Sequence, residues 1–322
     1  LPSVSRVKAE VFYNKASVFK KLVYCYMILG SVALILALIG ALCGKRFTLA
    51  QKILFAAFAA SFAAHTLALA LRWYVAAHAP WSDSYESMIY IGWSAALAGI
   101  IFFRKSLLTL SASCLLASIV MLVAHMSFVN PQITNLVPVL KSYWLSIHVS
   151  VITASYGFLG LSCLLGLLAL VLMALKNGAN RERLNAQIRY ITAINEISLI
   201  VGLSMLTLGN FFGGVWANES WGRYWGWDSK ETWSYVSIIV YAIVLHLKLI
   251  PKLGSIYVYC VSSTLAYSSI IMTYFGVNFY LTGMHSYAAG DAPQIPAPFY
   301  CIIAAVFLII ALAFRGRDVK TI

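Results

Sequence analysis

The chain has 322 residues, 61% of them hydrophobic and only 10% charged, a balance that excludes the soluble globular classes and fits an integral membrane protein. The net charge of +13 does not indicate a nucleic-acid partner, because Lys and Arg sit in short clusters between apolar runs rather than on one basic face. Six cysteines (Cys25, Cys43, Cys114, Cys163, Cys260 and Cys301) are scattered without a CxxC pair or metal-ligand spacing, so they read as small core residues and no disulfide is expected.

The opening stretch LPSVSRVKAEVFYNKASVFKK lacks a signal-peptide layout, and the chain reads as one half of a longer or processed polypeptide. Residues 1–21 form a basic tail that either continues an external domain or lies at the interface as an amphipathic helix, with Val7, Val11, Phe12, Val18 and Phe19 toward lipid. Residues 22–322 are expected to form one transmembrane domain. Crossing a bilayer takes about 20 predominantly apolar residues. Runs of that kind occur at 22–43, 49–71, 86–103, 106–126, 149–175, 197–213, 232–250, 255–277 and 298–314, which predicts about nine spans. The runs are continuous rather than alternating, so the fold class is an all-α polytopic helical bundle and not a barrel. The stretch RERLNAQIRYITAINEI, 181–197, is expected to run along the membrane surface before span six.

Orientation follows from the basic residues in the connections. The connections after spans one, three, five and seven and the C-terminal tail hold Lys45, Arg46, Lys52, Arg104, Lys105, Lys176, Arg181, Arg183, Arg189, Lys248, Lys252, Arg315, Arg317 and Lys320. The opposite connections hold only Arg72, Lys141, Arg223 and Lys230, which assigns them to the extracytoplasmic side. The N-terminal tail departs from this pattern with Arg6, Lys8, Lys15, Lys20 and Lys21.

Between spans six and seven, an extracytoplasmic tryptophan-rich loop is expected over 213–233. Single tryptophans such as Trp73, Trp81 and Trp144 read as an interfacial belt. Trp216, Trp221, Trp225, Trp227 and Trp233 instead fall within eighteen positions, among Gly213, Gly214, Gly222 and Gly226. Glycines let backbone approach a ligand closely and aromatic faces suit a flat partner, so a planar apolar ligand such as haem is the simplest candidate. Iron would need imidazole donors. Six histidines are available: His65, His78, His125, His148, His246 and His285, and residue types alone do not select two of them. Asp228 reads either as a residue orienting ligand or backbone, or as the cap of the helix starting near Ser229.

The string GVWANESWGRYWGWDSKETW resembles the tryptophan-rich WWD signature of the haem-handling superfamily, and its KETW ending resembles the System II cytochrome c synthase component, CcsA or the CcsA half of a fused CcsBA. HAPWSDSYESM at 78–88, the IHV segment around His148 and VNFYLTGMHSYA at 277–288 add to the resemblance, which runs from about residue 60 to the end. It implies that His148 and His285 are external axial ligands of a haem b, held preferably ferrous, and that Trp216, Trp221, Trp225 and Trp227 pack it. It also implies an intramembrane haem donor at His246, whose partner would lie in a CcsB-type protein or a fused N-terminal half.

The function so implied is haem export, then attachment of haem to the CxxCH segment of apocytochrome c by thioether formation, with His148, His285 and Asp228 as the residues serving that chemistry. Arg223 or Lys230 would pair with propionates. No nucleophile with a partnering base is visible, which suits catalysis by positioning. The membrane implied is a bacterial inner membrane with the tryptophan loop facing the periplasm, a plastid thylakoid being the other option. Two further readings stand beside this one: a protein presenting haem to a separate chaperone, and a bis-histidine electron-transfer cytochrome.

Overall fold

The computed structural model describes residues 3–103, 106–126, 129–136, 141–283 and 294–319. The described residues are all-helical, in the order α1 (Val4–Ala16), α2 (Val18–Cys43), α3 (Thr48–Ala76), α4 (Ser84–Phe102), α5 (Leu107–Ala124), α6 (Tyr143–Ala174), α7 (Arg181–Trp221), α8 (Ser229–His246), α9 (Ile256–Ile271), α10 (Val277–Tyr280) and α11 (Ala297–Ala313). Among them nine segments are long and apolar enough to cross a membrane, as the sequence predicts. They gather into two compact units: Leu1–Leu36, Phe47–Phe158 and Leu208–Tyr224 in the first, and Ala37–Arg46, Leu159–Thr207 and Trp225–Ile322 in the second.

Three boundaries differ from expectation. The stretch 181–197 is continuous with span six in a single helix of 41 residues. At its other end, α7 runs on through Trp216 to Trp221, so most of the expected loop 213–233 is helical and only residues 222–228 connect α7 to α8. Leucine and isoleucine recur through the interior of α7, and its helix stops where Gly222 takes a left-handed conformation (φ 69°) and donates its N–H to the Asn218 carbonyl at 2.9 Å. In the N-terminal tail, Ser17 (φ 46°) separates α1 from α2, which starts at Val18. Val7, Val11 and Phe12 are exposed as expected, but Phe19 is buried, its ring meeting the His65 imidazole edge-on at 5.6 Å.

Within the first unit α4 and α5 pack most closely, through rows of small residues that include Ala95, Ala96, Ala98, Ala112 and Ala117, all fully buried. Arg72, read from the sequence as a connection residue, lies inside α3 and is fully buried. A charge there requires partners. Its Nε donates to Glu86 Oε1 at 2.8 Å, while Nη1 donates to Tyr13 Oη at 2.8 Å and to the Pro131 carbonyl at 3.1 Å. Asp83 caps α4, accepting from the Glu86 N–H at 2.7 Å, and stands 3.8 Å from Arg72. Burial, and then the charge of Glu86, push the Asp83 carboxyl up from 3.8 to about 6.

The second unit is tied by buried amide and hydroxyl groups. Asn195 on α7 accepts from Ser162 on α6 at 2.5 Å and donates to Ser263 on α9 at 3.0 Å. A π-helical turn, Met272–Gly276, joins α9 to α10 and precedes Asn278, whose side-chain oxygen accepts from Lys230 Nζ at 2.9 Å.

Glu86→Ala leaves the Arg72 guanidinium without its buried counter-ion and should destabilise the protein by about 3–5 kcal/mol, read as a lower thermal midpoint in detergent. The folded Asp83 carboxyl binds its proton more tightly than the unfolded one, so its contribution is complete below its unfolded value of 3.8 and is lost as pH rises through about 6. The wild-type midpoint should therefore gain on acidification across that window relative to Asp83→Asn, which keeps the cap and removes the titration.

Candidate functional site

The five histidines within the described residues are sorted by the hydrogen bonds their ring nitrogens make. His65 is fully buried, with Nε2 3.1 Å from the Ile89 carbonyl and Nδ1 3.3 Å from Tyr26 Oη. Nε2–H donates to the carbonyl and Nδ1 accepts from the phenol, so this histidine is a satisfied core residue. His125 ends α5 with Nδ1 on the Met121 carbonyl at 2.7 Å and Nε2 near Tyr85 Oη at 3.4 Å. His78 faces the Ala79 and Thr134 carbonyls at 3.2 and 3.3 Å and Glu86 at 3.7 Å.

His148, in the second turn of α6, differs from these. Its Nδ1 donates to the Gly209 carbonyl on α7 at 2.7 Å, which fixes the tautomer and puts the imidazole lone pair on Nε2. The ring reaches α7 because Gly213 has no side chain: a Cβ there would stand 2.6 Å from His148 Cε1 and 2.7 Å from Nδ1. Trp216, almost fully buried, lies parallel to the imidazole (8° between planes, centroids 6.5 Å apart) and meets Trp221 at 4.7 Å. The Arg223 guanidinium sits over the Trp221 ring at 5.8 Å. The first unit thus joins one oriented imidazole, two indoles and one cation at the end of α7.

The second unit holds Trp225 and Trp227, which cross at 86° with centroids 5.6 Å apart, and each meets Tyr235 edge-on at 6.4 Å. Trp227 is 68% exposed and has a left-handed backbone (φ 56°), a conformation that costs a bulky residue on the order of 1–3 kcal/mol. Asp228 is the N-cap of α8, accepting from the N–H groups of Lys230 and Glu231 at 3.1 and 2.9 Å. Glu231 completes a capping box and also accepts from the Gly226 N–H at 2.7 Å. Ser229 Oγ donates to the Thr282 carbonyl at 2.7 Å, anchoring the chain that leads toward His285. His285 itself lies outside the described residues. His246 ends α8 in an exposed position, its Nδ1 donating to the Ala242 carbonyl at 2.7 Å, so its lone pair is also on Nε2.

Sequence reasoning missed Gly213 as the seat of His148, and it missed Glu231, although the Asp-x-x-Glu spacing of a capping box was readable. The Lys230–Asn278 pair carries no sequence signal, since its partners are 48 positions apart.

The fold and these side chains define a polytopic, all-helical membrane protein with oriented histidines beside a tryptophan-rich helix end. The model of the cytochrome C assembly protein family matches residues 81–285, and the chain belongs to that family. It is 51% identical to protein NrfI of Wolinella succinogenes over 295 residues, 90% of this chain and 32% of NrfI. It is also 32% identical to the cytochrome c biogenesis protein CcsA of Prochlorococcus marinus (strain MIT 9301) over 248 residues, and 33% identical to that of Chlorella vulgaris over 258. These alignments take in 69% of this chain with 80% and 81% of the respective relatives, whereas the chain spans about a third of NrfI.

Gly213→Ala should force the His148 ring off α7 and lower its affinity for a metal centre by about 10- to 100-fold, the usual loss when a ligand's orienting shell is disturbed. Haem titration of the full-length variant in detergent checks this, with Gly178→Ala, where a Cβ meets nothing within 4 Å, as the control.

Proposed function

We propose that this chain handles haem during cytochrome c maturation and positions it for covalent attachment to the CxxCH segment of an apocytochrome. The observation that carries this reading is His148: its Nδ1–H donates to the Gly209 carbonyl and its ring is seated against Gly213 and parallel to Trp216, which puts the lone pair on Nε2. An imidazole so oriented is a ready axial ligand for iron. Trp216, Trp221, Trp225 and Trp227 supply the apolar surface for the macrocycle, and His285 is the second external ligand. His65 is not a candidate, because both of its nitrogens are engaged.

In this account His246, with Nε2 outward at the far end of α8, receives haem within the membrane, completed by a donor from a CcsB-type partner or a fused N-terminal half. Ionisable residues at that depth are functional by default. Arg223 and Lys230 are the cations available to propionates. Haem is a substrate here, and an imidazole on each face of its iron would keep oxygen away.

The reaction is addition of each cysteine S–H across a vinyl C=C, with sulfur bonded to one carbon and hydrogen to the other, so no electrons are gained or lost. The protein contributes proximity and orientation, which alone can supply about 7–11 kcal/mol of a barrier. The substrate brings its own thiols and its own histidine, which replaces one of the two clamp ligands. The tryptophan segment then faces the side where the apocytochrome arrives, the periplasm in a bacterial inner membrane.

His148→Gly and His285→Gly in the full-length protein should each abolish the six-coordinate haem spectrum, and imidazole added to the medium should restore it. Variants that keep a full haem complement and an unchanged spectrum would refute the clamp.

A further inference from the structure

We propose that Glu231 is the positioning residue of the aromatic surface: its carboxylate holds Trp227 in a left-handed backbone and so presents the indole outward. The proposal rests on the haem reading above only for what that indole meets.

Four non-glycine residues have positive φ among the described residues: Ser17, Ala77, Trp227 and Lys252. Ser17 and Ala77 terminate α1 and α3, where a left-handed residue is the ordinary way to stop a helix, and Lys252 lies in the turn before α9. Trp227 precedes a helix instead, at a position where helix geometry does not require that conformation and where its side chain opposes it.

Something outside residue 227 therefore imposes the conformation. The Gly226 and Asp228 N–H groups, on either side of Trp227, both point at Glu231 Oε2, at 2.7 and 3.3 Å. Backbone amides converge on one anion in this way when the chain between them takes a left-handed turn. Capping alone does not account for it. Asp228 already satisfies the N–H groups of Lys230 and Glu231, and a capping box needs only the bond from Glu231 back to the Asp228 N–H. The shorter of the two Glu231 contacts is the additional one, to Gly226. Thr232 Oγ1, donating to the Trp227 carbonyl at 3.3 Å, holds the same residue from the other side.

The outcome is a 68% exposed indole standing at right angles to both Trp225 and Tyr235. With the backbone relaxed, that indole would no longer be fixed against those rings. Glu231 is itself buried, so in this proposal it acts through Trp227, aiming the tryptophan at the edge of a flat apolar macrocycle.

The test compares full-length wild type with Glu231→Ala, Glu231→Gln and Trp227→Gly in nanodiscs, by hydrogen exchange over residues 222–230 and by the Soret band of bound haem. Glu231→Ala should speed exchange of the Gly226 and Asp228 amides by about tenfold or more and shift the Soret band. Glu231→Gln, which keeps the shape and one acceptor oxygen, should fall between it and wild type. Trp227→Gly should leave both amides protected, raise the thermal midpoint by removing the strain, and shift the Soret band as Glu231→Ala does. Unchanged amide exchange in Glu231→Ala would overturn the proposal. So would a Soret band indifferent to Trp227→Gly, which would reduce Glu231 to a helix cap. A wild-type protein that takes up no haem would overturn the haem reading instead, and the exchange comparison would still decide whether Glu231 holds Trp227.

Discussion

A single hydrogen bond, from His148 Nδ1 to the carbonyl of Gly209, organises the aromatic cluster at the end of α7. It selects one tautomer, brings the imidazole onto α7 and puts the lone pair on Nε2. The bond exists only because residue 213 has no Cβ, since any larger residue would occupy the space the ring uses. From that contact follow the parallel placing of Trp216 and, through Trp216, that of Trp221. Backbone carbonyl, glycine and tryptophan thus come together on one end of α7.

The same logic of satisfied polar groups governs the membrane-embedded parts. In hydrocarbon an unpartnered charge or amide is expensive, so Arg72 is surrounded by Glu86, Tyr13 and the Pro131 carbonyl, and Asn195 bridges Ser162 and Ser263. His65 is absorbed into such a network through both nitrogens, whereas His246 engages only Nδ1 with its own helix and is exposed. Trp227 shows the opposite economy, a strained residue kept in place by its neighbours.

The nine spans were legible because about 20 consecutive apolar residues leave a signal that no tertiary contact can mask. The end of α7 was not. The glycines and tryptophans of 213–221 read as a loop because glycine lowers helix propensity, yet here the close approach of His148 requires a glycine within a helix. Arg72 was misread as a connection residue for a related reason: its burial depends on Glu86, fourteen positions away, and such pairing is invisible to local pattern. His148 and Asp228 were singled out from motif and cap chemistry, and the structure gives each a specific partner. Gly213 and the second contact of Glu231 emerge only in three dimensions, because both are defined by what another element needs.

The chain belongs to the cytochrome C assembly protein family, and the proposed role of His148 rests on the hydrogen bond that orients its ring. The most direct measurement is covalent attachment itself. Full-length protein reconstituted in lipid vesicles, loaded with ferrous haem and given a CxxCH peptide, is assayed for thioether-linked haem by mass spectrometry. The account predicts a peptide carrying one haem with both vinyl groups saturated, and none when His148 is replaced by glycine. Haem bound at full occupancy, cycled by a quinone, with no adduct on the peptide, would contradict it.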